Sequence, residues 1–152
     1  MDNTLNLSNT LIQRKSCRDF NVNRNIKKPD IDLLDWASCR APYASGGPRR
    51  KVIYVTDAER KILLRDACMG QRYVRECSVV CVVCGTDPGT RLRQGFSKFV
   101  FDCSAACMCM DLMAVSLGMA TCWIGNFIPD QVAKILDTEL RPTIILLVGY
   151  RK

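Results

Sequence analysis

CSAACMCMDLMAVSLGMATCWIGNF, residues 103–127, is the most apolar run of the chain, and whether it crosses a membrane or fills a core decides the fold. Asp111 interrupts it, and Gly118 and Gly125 fall inside it. No stretch reaches the roughly 18 uninterrupted apolar residues of a spanning helix. The run therefore reads as a core helix over residues 98–117, apolar nearly all round, the buried spine of a domain. A short strand at 119–123, a turn at IGNF and a helix at 130–136 with Val132, Ile135 and Leu136 inward follow it.

Upstream, SVVCVVC (78–84) is a continuous apolar strand of the kind covered on both faces. Its Cys81 and Cys84 stand three apart on a strand and point to opposite faces, so this CxxC is not half of a metal site. Cys103 and Cys107 share a helix face, but two thiols leave a zinc site incomplete. KVIYV (51–55) reads as a strand, and TDAE (56–59) as a capping box opening a helix that runs to Cys68. A short helix is expected at 71–76, and GTDPGTRLRQG (85–95) is a loop leading to the spine. DIDLLDWASCR (30–40) is a helix with Ile31, Leu34 and Ala37 on one face, widened by Leu33 and Trp36. Pro29 sits in its first turn and Pro42 stops it. Leu5, Leu7, Leu11 and Ile12 mark a first helix ending near Arg14, and TIILLVG (143–149) is the closing strand. Helices and strands mix without strict βαβ alternation, so the 152 residues form one domain of the α+β class.

A net charge of +7 points to nucleic acid, an anionic membrane or a phosphorylated small molecule. There is no Lys/Arg block and no basic strand interleaved with aromatics, which counts against nucleic acid. MDNTLNLSNT lacks the basic and apolar regions of a signal peptide, and ten cysteines without one point to a reducing, cytoplasmic compartment. The chain has no histidine. Ser-His and Cys-His nucleophiles, histidine-bound metals and histidine bases are thereby excluded, and borrowed cofactor chemistry fits that absence.

Three stretches carry candidate chemistry. RKSCRDF (14–20) reads either as a solvated helix end, its cations facing the last carbonyls, or as an anion clamp. In the clamp Arg14 and Arg18 close on a phosphate, Ser16 donates a third hydrogen bond and Lys15 adds a cation. Charge-assisted hydrogen bonds contribute roughly 1.5–3 kcal/mol each, a large part of the roughly −8 kcal/mol of micromolar affinity. PYASGGPRR (42–50) is either a surface turn or a backbone lying close against a flat ligand, through Pro42, Tyr43, Ala44, Ser45 and Gly46. TCWIGNF (121–127) is either a βα turn with Trp123 in the core or a set of donors, the N–H groups of Ile124, Gly125 and Asn126, aimed at a ligand.

Order and spacing add to these pieces. RxSxR after the first helix, AP with a small-residue loop some 25 residues later, LGMATCWIGNF (117–127) and RPTIILLVGY (141–150) together resemble the flavin-dependent nitroreductase family. The resemblance implies a mixed, mainly antiparallel sheet wrapped by helices around a long buried helix. It also implies a homodimer with two FMN molecules in clefts at the subunit interface. Arg14, Ser16 and Arg18 match FMN-contacting positions, mainly at the phosphate. Residues 42–45 match the loop reaching the flavin from the partner, and Ile124 and Gly125 the turn donating toward flavin N5 and O4. Three departures stand out. GGPRRK replaces the usual Asn and Gln-Pro-Trp, with Arg49 or Arg50 as substitutes for the lost ring-side contacts. The chain ends at GYRK, with Arg151 or Lys152 as candidates for a missing phosphate-binding cation, and the segment between Gly85 and Phe96 is short.

The implied activity is hydride transfer from NADH or NADPH through FMN to a small acceptor such as a quinone or nitroaromatic, in a ping-pong cycle without a catalytic side chain. A specialised flavin dehydrogenase acting on a peptide or metabolite, and a flavin-binding module sensing redox state through its cysteines, are the alternatives. A basic nucleic-acid binder rests on net charge alone.

Overall fold

A computed structural model describes residues 6–152 of the chain. Six helices and four strands follow in the order α1 (Leu7–Gln13), α2 (Lys28–Arg40), β1 (Arg50–Val55), α3 (Ala58–Ala67), α4 (Tyr73–Glu76), β2 (Val79–Gly85), α5 (Lys98–Ser116), β3 (Ala120–Ile124), α6 (Pro129–Ile135) and β4 (Arg141–Gly149). Leu5, expected in the first helix, lies outside the described residues.

The strands form one sheet in the order β1-β2-β4-β3, every neighbouring pair antiparallel. Its parallel component is a single bridge, Ser16 beside Thr121. All seven residues of β2 are buried, as a continuous apolar strand requires. Val80, Val82 and Cys84 face a core closed by α3, α4 and α6, whereas Val79, Cys81 and Val83 face α2 and α5. Cys81 and Cys84 therefore stand on opposite faces of the sheet.

Close backbone approach sets the ends of the two central strands. A Cβ on Gly149 would lie 2.8 Å from the Phe20 ring and 3.1 Å from the Ser78 backbone nitrogen. Only glycine lets the residue 20 segment pack onto the end of β4.

Three expectations change. The cap of α3 is Asp57, whose side chain accepts from the Arg60 N–H at 2.9 Å, and not Thr56. A carboxylate one residue further on holds the first turn, with Thr56 left ahead of it. Residues 85–95 are more than a loop. Lys98 N–H donates to Thr90 O at 2.9 Å and Leu92 N–H to Phe96 O at 2.8 Å, closing a small hairpin over the start of α5.

The spine is buried on one side only. Val100, Phe101 and Met108 are 42%, 47% and 41% exposed, so apolarity all round α5 reflects a second face that no other described residue covers. By length and composition α5 would also suit a membrane span, yet half of it is buried inside the fold. Asp102 and Asp111, both buried on its inner side, accept hydrogen bonds there from the loop before β1 and from β3.

Candidate functional site

Residues 14–20 leave α1 and run against the start of β3. Arg14 caps α1, its backbone N–H donating to Thr10 O at 2.9 Å. Two residues on, Ser16 bridges Thr121, and the Cys17 N–H donates to Thr121 O at 2.7 Å. Cys17 turns into the core while Lys15, Ser16 and Arg18 stay exposed and Arg14 half-buried. Among the described residues, none of these four polar side chains makes a hydrogen bond or ion pair. Solvated at the end of α1, these side chains suit a solvated helix end as well as an anion clamp. The one acid nearby is already engaged: Asp19 takes Lys152 at 3.0 Å and Arg72 at 3.8 Å.

β3 is nailed to α5 by one buried carboxylate. Asp111 accepts the Thr121 hydroxyl at 2.6 Å and the Trp123 indole N–H at 2.7 Å. Past β3, Ile124 is buried while Gly125 and Asn126 are exposed. Neither of their N–H groups donates within the described residues, and nothing stands within 4 Å of a Cβ built on Gly125. The turn is anchored by Ile128 N–H donating to Ala67 O at 2.9 Å, which brings the end of α3 to the same corner.

That corner contains residues which the sequence reading passed over. Met69 holds φ +59° and Gly70 φ +73°, and Gln71 and Arg72 follow. A left-handed conformation is uncommon for a side chain like methionine and clusters at ligand-facing turns. CMGQ between two helical stretches, with its glycine, was the available signal.

The end of the chain closes the other side. Asn21 N–H donates to Tyr150 O at 2.8 Å, Phe20 bridges Arg151, and Arg24 stacks 3.5 Å over the Tyr150 ring. Arg151 and Lys15 are the two cations of a cavity of about 360 Å³ with Ile12, Val115 and Met119 as apolar walls.

Residues 42–47 lie at the opposite end of α5. Asp102 accepts the Ala44 N–H at 2.7 Å on one oxygen and the Arg49 N–H at 2.8 Å on the other, pinning both feet of the loop. Pro42, Tyr43 and Ser45 are exposed between those feet, and Gly46 and Gly47 carry φ values of +95° and +100°. Arg49 fills the arch from inside: its guanidinium donates to Ser45 O and Gly47 O at 3.0 Å each and pairs with Asp87 at 3.2 Å. The Thr90 hydroxyl and then Arg49 hold the Asp87 carboxyl below its ordinary range. Arg50 donates to the carbonyls of Ser38 and Ala41. Arg49 is committed to the arch, so the expectation that it replaces a ring-side contact is corrected, whereas Arg50 keeps Nη1 buried without a hydrogen-bond partner among the described residues. Lys98 is the cation that reaches the loop's outer side, its ammonium 3.1 Å from the Ser45 hydroxyl.

The expected site residues thus fall into three groups. Arg14, Lys15, Ser16, Arg18 and Arg151 gather at the start of β3 and the end of α5, Ile124, Gly125 and Asn126 stand at the far end of β3, and residues 42–46 stand by the start of α5. At 1.5 Å per residue, positions 102 and 116 of the spine are about 21 Å apart. One copy of the chain does not bring both ends of the spine onto one ligand.

The cysteines add no redox centre to any of these groups. All ten are free and most are buried. Burial pushes the thiols of Cys68, Cys77 and Cys103 up to about 12 and that of Cys84 to about 11, so they stay protonated at neutral pH.

Known proteins share this fold. The chain matches the Nitroreductase family over residues 68–150, more than half its length. No curated protein matches it. A nitroreductase family protein from Clostridium difficile 630 superposes with a TM-score of 0.85 at 25% identity, over 97% of this chain and 86% of that one. A nitroreductase family protein from Clostridium novyi NT gives 0.88 at 21% identity, with coverages of 97% and 86%. An FMN-dependent nitroreductase from Clostridium difficile R20291 gives 0.84 at 20%, with 94% and 86%. The family match runs from the end of α3 through the last strand, and the shared fold spans nearly the whole chain: this protein belongs to the nitroreductase family.

Proposed function

We propose that the protein is an FMN-dependent oxidoreductase that takes electrons from NADH or NADPH and passes them to a small acceptor such as a quinone or nitroaromatic. The observation that carries this reading is the cluster of unpaired donors held on Thr121. Arg14, Ser16 and Arg18 offer two guanidinium groups and a hydroxyl that no other described residue engages. A phosphate ester supplies the acceptor oxygens such donors lack. The unengaged N–H groups of Gly125 and Asn126, with open space beside Gly125, suit the heteroatom edge of a flat ring. Lys15 and Arg151 add cations beside the phosphate end.

Bound FMN supplies two-electron hydride chemistry, run as a ping-pong cycle in which donor and acceptor use the same face in turn. The chain's part is binding, orientation and electrostatics. The cations anchor the cofactor and favour negative charge gained on reduction. Gly125 N–H orients the ring by donating to it. A catalytic side chain is not required, which agrees with a chain that has no histidine.

The working unit is proposed to be a homodimer. The exposed stripe of α5, Val100, Phe101 and Met108, together with Leu11, Ile12 and Trp36, supports an apolar subunit interface. An isologous pairing with the two α5 helices antiparallel carries loop 42–46 of one copy to residues 14–18 of the other. That pairing joins site residues which one copy holds apart. A reducing, cytoplasmic compartment is proposed on the free cysteines.

The test is direct. Flavin-free protein should take up FMN and turn yellow, and anaerobic NADH or NADPH should bleach it within the time of catalytic turnover. Protein that binds no FMN, or binds it without being reduced by either nucleotide, overturns the reading.

A further inference from the structure

Both ends of α5 are electropositive. Seven ion pairs form among the described residues. None of them uses Arg14, Lys15, Arg18 or Arg151 at the end of the helix, nor Arg50, Lys51, Arg91, Arg93 or Lys98 around its start. Asp19 is held by Lys152 and Arg72, and Asp87 by Arg49 and Thr90. Buried Asp102, hydrogen-bonded by two neutral amides, and Asp35, on one cavity with Arg50 and Lys51, offset part of the charge at the start, leaving Arg91, Arg93 and Lys98 in excess. No other carboxylate occurs in residues 12–20, 42–51, 86–102 or 115–121 apart from the terminus.

This charge pattern has a consequence for assembly, resting on the antiparallel dimer proposed above. Pairing two α5 helices antiparallel sets the cationic start of one against the cationic end of the other, twice per dimer. The apolar stripe between them favours association while the two like-charged corners oppose it. The opposing charges come close where loop 42–46 meets residues 14–18, because Lys98 reaches that loop at Ser45. A phosphate monoester carries about −1.5 to −2 charges at neutral pH and seated there faces cations from both copies.

We propose that anion occupancy of the cofactor site controls dimer assembly: the phosphate of the bound nucleotide neutralises two cationic helix ends that otherwise repel across the subunit interface. Lys98 and Arg93 of one copy are then positioning residues for the cofactor held by the other. Linkage makes the effect reciprocal, so whatever factor FMN adds to dimer affinity, dimerisation adds to FMN affinity.

Sedimentation equilibrium of the full-length, flavin-free chain reads this directly. At about 50 mM NaCl, FMN should tighten the dimer at least tenfold, whereas riboflavin, the same ring system without phosphate, should tighten it less than threefold. Without flavin, raising NaCl to about 500 mM should tighten the dimer, because the repulsion is screened. A double variant, Arg93→Gln with Lys98→Gln, should dimerise more tightly than the native chain without flavin and gain less from FMN. Its far-ultraviolet spectrum checks that it folds, and Arg93→Gln alone, at an exposed hairpin position, provides the same readout in smaller measure. Equal dimer affinity with and without bound FMN overturns the proposal, as do riboflavin matching FMN or a flavin-free dimer indifferent to salt. Absorbance recorded in the same cell separates the two levels. FMN that binds without changing assembly removes this inference alone, and FMN that never binds removes the cofactor reading with it.

Discussion

The Asp111 carboxylate on α5 accepts the Trp123 indole N–H at 2.7 Å, and its second oxygen takes the Thr121 hydroxyl at 2.6 Å. Thr121 is also the residue whose backbone carries Ser16 and Cys17. This acid, one of two buried on α5, therefore positions the strand against which residues 16 and 17 run.

Asp111→Ala should cost roughly 2–6 kcal/mol, since it strands two donors at about 1–3 kcal/mol each. The urea midpoint measures this, and tryptophan fluorescence should report a loosened indole. FMN affinity should fall in the same variant even under conditions where it remains folded. Unaltered stability would mean that the two donors find other acceptors.

The clamp itself predicts a sharper result. Arg14→Ala with Arg18→Ala should weaken FMN at least tenfold, with a smaller loss for riboflavin, which lacks the phosphate. Because neither guanidinium makes an internal hydrogen bond or ion pair among the described residues, stability should stay within about 0.5 kcal/mol of the native chain. Fluorescence titration with the two flavins separates the outcomes, and equal losses for both would place the arginines away from the phosphate.

How much of this was legible follows from which contacts are local. β2 announced itself because a strand buried on both faces has no polar alternation to hide it. Asp102 did not, because its partners Ala44 and Arg49 stand 58 and 53 residues away, and no pattern along the chain links a helical carboxylate to a loop. Arg49 was misread for a related reason. A cation after SGG resembles a ligand contact until the arch folds back and its own carbonyls claim the guanidinium. The separation of the candidate residues between the two ends of α5 was expected only through the family resemblance, since spacing along the sequence says nothing of roughly 20 Å along a helix axis. The apolar outer face of α5 was visible in composition and misassigned to the core, because an apolar residue leaves the same signature along the sequence whether or not its own fold covers it.

Two glycines offer a contrast that depends on the packing described above. Gly149→Ala should destabilise by about 1–3 kcal/mol, its Cβ falling 2.8 Å from Phe20 and 3.1 Å from backbone that has little freedom to move. Gly125→Ala should leave stability within about 0.5 kcal/mol, for its Cβ meets nothing and its φ is not in the left-handed region. Thermal unfolding of the pair checks the ranking. Should Gly125→Ala nonetheless weaken FMN binding, the open space beside that turn is where the ring lies.

The buried thiols set the alkaline limit of the fold. Burial raises Cys68, Cys77 and Cys103 to about 12 in the folded chain, against an ordinary value near 8.5 when unfolded. Between those values the folded state holds protons that the unfolded state has released. Stability is therefore fully present below about pH 8.5 and declines as pH rises toward 12, the slope growing with each thiol involved. Urea midpoints should be level from about pH 7 to 8 and fall by pH 10. Iodoacetamide at about pH 8 should label exposed Cys39 quickly and half-exposed Cys109 slowly, and reach the buried cysteines only in urea. Rapid native labelling of Cys77 or Cys103, or a midpoint that holds to pH 10, would show that these sulfurs are reached by solvent and that the two cores are less closed than their packing requires.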